Sequence, residues 1–353
     1  MKKNLFFGLC AASMLLMTSC DKEAFGGRFG EQETNVTLSV SLPELQTRAY
    51  GTGVNAKYLQ YAVYSLDAQD AINEQIEKNS LVLTQLAKNE LSIKLVPNTK
   101  YAIVLWADAY GADATSPFPV TMKKNDNGEF VNTLAVDATK IKTSDDNADA
   151  FFGSYEINVT GANQYTITDA LNNTEISNND LKLKRPFAQL NIASTISDYN
   201  TLVNSGFDLK KTKISVKKAY SSMNLLTGAV GDDQEITYAY SDALAAVNQD
   251  PAYNAHKLLS VNYILMSDSK QTATEVVFTY SNGTTEGYKS YYNVPLRRNW
   301  RTNIYGDLFT NKVGITVSIA PSFADQIDAN GDGKADTENQ YSGNNGNFSA
   351  YLP

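Results

Sequence analysis

Between Val36 and Leu42 every second residue is aliphatic: Val36, Leu38, Val40 and Leu42 alternate with Thr37, Ser39 and Ser41. A period of two puts one set of side chains on one face of an extended strand, which the 3.6-residue repeat of a helix cannot do. Pro43 closes the segment. The same signature returns along the chain. Residues 57–66 place Leu59, Tyr61 and Val63 on one face, and residues 100–107 form a nearly continuous apolar run of the kind found in central strands. After Pro186, Ala188, Leu190 and Ile192 alternate with polar residues. Further strands are expected at 213–217, 259–266, 275–280, 288–294, 303–308 and 313–319. Helix is scarce. Residues 71–79 or 81–88 form the candidate in the first half, and 241–249 in the second. Many short strands and 21 tyrosines define an all-β chain built from β-sandwiches, with few short helices.

The first residues have a different character. Lys2 and Lys3 precede a short apolar run from Leu5 to Met17, which ends in Met17-Thr18-Ser19-Cys20. The run is well short of the ~20 residues needed to span a bilayer, so it reads as the core of a signal peptide. A small residue directly before a cysteine resembles the lipobox of bacterial lipoproteins. On that reading the leader is residues 1–19, and Cys20 becomes the lipidated first residue. Several acyl chains at about 0.8 kcal/mol per buried methylene would hold the protein on a membrane firmly. The stretch 20–33, rich in Gly and Glu, reads as a flexible tether, and Asp21 and Glu23 resemble a surface-export signal.

With Lys2 and Lys3 gone, 28 basic residues face 38 acidic ones, a balance of about −10. An acidic surface argues against nucleic acid as a partner. The cysteines are Cys10, in the leader, and Cys20. The mature fold therefore has neither a disulfide nor a cysteine metal site and must be held by core packing. Its length suggests two domains, at 34–187 and 188–325, followed by an acidic and polar tail at 326–353.

Two segments carry a family resemblance: Leu183-Lys184-Arg185-Pro186-Phe187-Ala188-Gln189-Leu190-Asn191 and Arg298-Asn299-Trp300-Arg301-Thr302-Asn303-Ile304-Tyr305-Gly306. Together with the lipobox and the strand at 315–319, they resemble the fimbrillin-like lipoproteins of Bacteroidota over roughly 34–325. The resemblance implies two transthyretin-like β-sandwich domains. It also implies a role in surface pili or their anchoring, at the outer membrane and cell surface. Neighbouring pilus subunits or envelope proteins would be the partners, and adhesion to a host or glycan ligand the outcome. In that family a surface protease cuts after an arginine that follows the first strand. The lipid and that strand are then released together, and a strand from a neighbouring subunit fills the groove. Here Val36, Leu38, Val40 and Leu42 mark the removable strand, and Arg48-Ala49 is the candidate cut. Removal would expose a groove and an unpaired sheet edge, and refilling it would be strand addition. Burying four such side chains is worth roughly 6 to 12 kcal/mol as an upper bound, comparable to the stability of a domain. The alternative is a permanent first strand in a monomeric surface lipoprotein that binds glycan or another envelope protein.

Other motifs point elsewhere. Asp328, Asn330, Asp332, Lys334 (through its carbonyl) and Asp336, with Gly333 at the sixth position, match the front of a calcium loop. The twelfth position is Asn339 where a bidentate Glu is expected. Calcium would be structural, and no cofactor is required. Arg185, Arg297, Arg298 and Arg301 are expected to pair with loop carboxylates, or else to bind an anionic glycan. Trp106 lies in an apolar run and is expected in the core, while Trp300 invites a sugar-stacking role. His256 is the only histidine. No nucleophile motif or metal-binding partner accompanies it, so an enzyme is not expected.

Overall fold

The computed structural model describes residues 33–42, 51–84, 89–242, 256–268, 272–310, 315–320 and 340–343. The chain is nearly all strand. The first half carries β1 (Thr34–Ser41), β2 (Tyr58–Leu66), β3 (Ile72–Val82), β4 (Asn89–Leu95), β5 (Thr99–Asp108), β6 (Val120–Lys124) and β7 (Phe130–Ala135). It continues with β8 (Phe151–Gly161), β9 (Gln164–Asp169), β10 (Thr174–Glu175) and β11 (Asp180–Lys182). The second half opens with β12 (Phe187–Thr195), α1 (Ile196–Asn204), β13 (Lys211–Tyr220), β14 (Ser222–Asn224), β15 (Asp233–Thr237) and β16 (Ser241–Asp242). It closes with β17 (His256–Leu265), β18 (Thr272–Ser281), β19 (Glu286–Leu296), β20 (Arg301–Gly306), β21 (Ile315–Ala320) and β22 (Gln340–Gly343). Among the described residues, no helix is long and apolar enough to cross a membrane.

Five sheets organise these strands. In the first half, β11-β1-β4 faces the larger β10-β9-β8-β5-β2-β3. In the second half the sheets are β17-β12-β20-β21-β22 and β15-β13-β18-β19, with β16 also paired to β13. The fifth, β14-β7-β6, joins the halves: Met223 of β14 lies opposite Leu134 of β7. The expected division at 187/188 falls just inside β12, after its first residue Phe187.

Two cores follow from strand alternation. One lies wholly within the first half and contains Val36, Leu38, Val40, Ile93, Ile103 and Phe151. The other draws on both halves and contains Trp106, Phe152, Phe187, Ile214, Tyr263 and Phe278. Phe151 and Phe152 are adjacent in β8, and successive side chains in a strand point to opposite faces, so each enters a different core. Trp106 is fully buried, edge-on to Phe118 at 5.7 Å, and donates to Asp108 Oδ2 at 2.7 Å.

One helix expectation is corrected, and the other is tested only at its first two residues. Residues 72–82 form β3, paired to β2 from Leu66↔Ile72 to Tyr58↔Val82, so 71–79 is not helical and 81–82 are strand, while 85–88 lie outside the described residues. Ile72 and Ile76 imitate a helical spacing, but β3 is a sheet edge. Its Glu74, Glu77 and Lys78 belong to the charged dressing that keeps an exposed edge from pairing with other chains. Of the second candidate, Ser241 and Asp242 form a strand against Thr212 and Lys211, and 243–249 lie outside the described residues. The helix that forms, α1, begins at the N-cap Thr195, whose Oγ1 accepts from Asp198 N at 3.2 Å. Thr-x-x-Asp is a start signal of the capping-box kind.

Candidate strand-exchange site

β1 lies between two unequal neighbours. On one side it pairs antiparallel with β4 without a break, from Thr34↔Leu95 to Val40↔Asn89. On the other it pairs parallel with β11 only at Ser39↔Asp180, Val40↔Leu181 and Ser41↔Lys182. Its inward residues are sealed: Val36 and Leu38 are 0% exposed and Val40 1%. Leu42, just past the strand, packs partly buried against the same core. Asn35 and Thr37 face solvent. The strand thus behaves as a plug in an apolar slot walled by Leu59, Ile93, Ile103, Leu105, Phe151 and Ile157.

The second half supplies an internal comparison. β12, its first strand, also sits between an antiparallel and a parallel neighbour. It pairs with β17 from Phe187↔Leu265 to Thr195↔His256, and with β20 from Gln189↔Arg301 to Ser194↔Gly306. The topology matches that of β1, but the parallel grip covers six positions instead of three. β12 is also buried on both faces from Phe187 to Ser194, whereas β1 alternates. Only β1 combines a light grip, an outer face in water and a position at the start of its half.

The chain leaving β1 is pinned at both ends. Leu183 N donates to Ser41 O at 2.9 Å. Where the described chain resumes, Arg185 Nη2 donates to Gly51 O at 2.6 Å and Gly51 N donates to Asp146 Oδ1 at 2.8 Å. Both anchors therefore stand two residues apart on one segment. Arg185 is 4% exposed, binds Asp149 through Nε at 2.7 Å and Nη2 at 3.0 Å, and lies over the Phe151 ring at 4.6 Å. Asp146 also accepts from the Tyr263 hydroxyl, bringing β17 into the network. Burial raises the carboxyl pKa of Asp146, partly countered by the hydrogen bonds from Gly51 and Tyr263. Burial raises the Tyr263 hydroxyl pKa as well, with Asp149 and Asp146 adding to it.

The other arginines behave differently from one another. Arg298, 6% exposed, donates to the carbonyls of Met266 (3.1 Å) and Gly228 (2.7 Å) and covers Phe152 at 5.2 Å. With Met223 Sδ at 3.3 Å, its hydrogen-bond partners are carbonyls and a sulfur, not the expected loop carboxylate, and burial lowers its pKa to about 10. Arg297 donates to Asp268 O at 2.7 Å and stacks on Trp300 at 5.1 Å, so a cation already occupies a face of that ring. Arg301 is buried in β20 opposite Gln189. His256 opens β17. It lies edge-on to Tyr305 at 5.0 Å, and burial lowers its pKa. Among the described residues no group of three or more His, Cys, Asp or Glu is placed to hold a metal. Cys20, Arg48, Ala49 and the calcium-loop residues Asp328, Asn330, Asp332, Lys334 and Asp336 lie outside the described residues.

A paired-sheet β protein with a lightly held first strand is the class that these features define. The chain belongs to DUF6562, a family of unknown function, whose family model matches residues 28–344. No curated protein matches it. Among solved structures, it is similar to a fimbrial assembly protein from Parabacteroides distasonis, at 13% identity, with 81% of this chain and 96% of the other covered and a TM-score of 0.42. It is also similar to the fimbrial anchor protein Mfa2 from Porphyromonas gingivalis, at 11% identity, with 78% and 91% covered and a TM-score of 0.39.

Proposed function

We propose that this protein is a fimbrillin-like surface lipoprotein, a subunit or an accessory of cell-surface pili assembled by β-strand exchange, with a role in adhesion. Lipid at Cys20 would hold it to the outer membrane. A cut between Arg48 and Ala49 would free β1. A strand from a neighbouring subunit would then fill the slot left by Val36, Leu38, Val40 and Leu42. The observation that carries this reading is the contrast between β1 and β12: the same topology, with half the parallel grip on the strand that would have to leave.

The energetics are consistent with exchange instead of an empty slot. β1 removes Val36 and Leu38 wholly from water and Val40 almost wholly. At about 1.5 to 3 kcal/mol for each fully buried aliphatic side chain, the vacant slot would be unfavourable by an amount comparable to a domain's stability. The pinned ends serve the same role. With Ser41 and Gly51 both held by the 183–185 segment, a cut in 43–50 leaves the body anchored at Gly51. Surface material from producing cells, run on a denaturing gel after mild heating, is expected to give a ladder of polymers. A single band under every condition would refute polymerisation.

The second reading, a monomeric surface lipoprotein that binds glycan, draws on the exposed tyrosines of β19. Tyr288 is 71% exposed and Tyr292 44%, so both offer ring faces to a sugar. A glycan-array signal lost in Tyr288→Ala, without polymers, would favour it.

A further inference from the structure

The light grip on the outer edge of β1 is concentrated in one residue ahead of β11. Asn179 has a left-handed backbone (φ 53°), which Asn adopts more readily than most residues. Its carbonyl accepts from Ser39 N at 2.8 Å. Its side-chain Nδ2 donates to Thr37 O at 3.3 Å and to the Tyr165 hydroxyl at 2.7 Å. One residue thus meets an N–H and a C=O of β1, as a further residue of a parallel strand would, and Tyr165 aims the amide. Beyond it, among the described residues, no strand lies alongside Asn35 and Val36 on that edge. The next hold there is Thr34, whose Oγ1 donates to Gly161 O and accepts from Asn163 N, both at 3.3 Å.

We propose that Asn179 is the gate of the β1 site, a positioning residue that sets how fast β1 leaves and an incoming strand replaces it. This rests on the strand-exchange reading. β1 frays first at the Thr34 end, where its outer edge has the fewest holds. The incoming strand enters there beside Leu95, and the bonds to Asn179 and β11 are the last to transfer. Asn179 meets only the backbone of β1, so it admits any extended chain. Selection falls to the apolar positions now filled by Val36, Leu38 and Val40 and to the buried polar position of Thr34. The occupant is therefore a strand with a small hydroxyl residue followed by alternating aliphatic residues.

The test uses the purified chain, nicked at Arg48 by limited trypsin and mixed with excess fluorescent peptide of the sequence 34–42. The rate of peptide uptake is measured, and the urea midpoint of the un-nicked chain is measured in parallel. Asn179→Gly keeps the left-handed backbone and the carbonyl but deletes the amide, and is expected to speed uptake about fivefold, the equivalent of one net hydrogen bond. Tyr165→Phe, which leaves the amide unaimed, should give a smaller gain. Asn179→Asp, which turns an acceptor toward Thr37 O, should give the largest gain. In Asn179→Gly and Tyr165→Phe the un-nicked chain should lose no more in urea than that one hydrogen bond, about 1 kcal/mol. Uptake by the wild type with no change in the variants would overturn the gate and leave strand exchange standing. A loss in urea well beyond that one hydrogen bond in Asn179→Gly would reduce Asn179 to a general structural residue, which also overturns the gate. No uptake by the wild type at any peptide concentration would refute strand exchange itself, and the gate with it.

Discussion

Arg185 and Asp149 form a two-point ion pair, Nε to Oδ1 at 2.7 Å and Nη2 to Oδ2 at 3.0 Å, with both side chains 5% exposed or less. The pair couples the segment just before β12 to the 145–149 turn, and through Nη2 Arg185 also holds Gly51. A buried pair broken from one side leaves an uncompensated charge. Asp149→Ala is therefore expected to cost about 3 to 5 kcal/mol in urea unfolding. The double replacement Arg185→Met with Asp149→Leu should recover most of that loss, since no buried charge then remains. The double variant still lacks the hold on Gly51, so limited trypsin should cut its 43–50 segment faster than that of the wild type.

Leu38 sits at the centre of the slot, fully buried between Val36 and Val40. Leu38→Ala should destabilise the un-nicked chain by about 2 to 5 kcal/mol, the range for a buried leucine that leaves a cavity. The outward Thr37→Ala should change it by less than about 0.5 kcal/mol. Chemical denaturation of the two variants side by side gives the comparison. Equal effects would mean that β1 is not seated as described.

Gly153 holds the β11 side of the slot open. A Cβ there would come within 2.7 Å of the Tyr155 ring and 2.9 Å of Leu183 Cδ2. Tyr155 supports β11 by donating its hydroxyl to Lys182 O at 2.6 Å, and Leu183 holds Ser41. Gly153→Ala should therefore cost about 1 to 3 kcal/mol by overpacking. Hydrogen exchange should show the loss of protection centred on 39–41 and 180–183.

His256 gives a pH dependence with a defined sign. Burial lowers its folded-state pKa below the ordinary 6.5. The stability it contributes is thus fully present above 6.5 and is lost as pH falls through the lower folded value, because the unfolded chain binds the proton more readily. His256→Gln should flatten the fall of Tm on acidification from pH 7, and the difference between the two profiles should vanish above pH 7. A steeper fall in the variant would contradict the assignment.

Much of this was legible in the sequence because a period of two is a strong signal wherever one strand face is buried. β1, β2, β5, β13, β17, β18, β19, β20 and β21 all lie where alternation or an apolar run placed them. β3 was misread because an edge strand is wet on both faces and loses the alternation that identifies strands. α1 was missed because its signal, Thr195-x-x-Asp198, is a short capping pattern directly following a strand. The site divides in the same way. The inward set of Val36, Leu38 and Val40 could be read from spacing. Asn179 could not, because its part depends on a left-handed backbone and on contacts 142 residues away in the chain. Arg185 is expected from sequence to pair with a loop carboxylate and does so with Asp149, but its tie to Gly51 depends on two segments meeting across 134 residues.

The central claim is that β1 is removed and its slot refilled. The most direct measurement is the N-terminus of the protein, by mass spectrometry, on material sheared from the cell surface and on the membrane fraction separately. Sheared polymers that begin at Ala49 are the predicted result. Protein found only in membranes and beginning at acylated Cys20 would contradict strand removal and leave an anchor or a stand-alone binding lipoprotein.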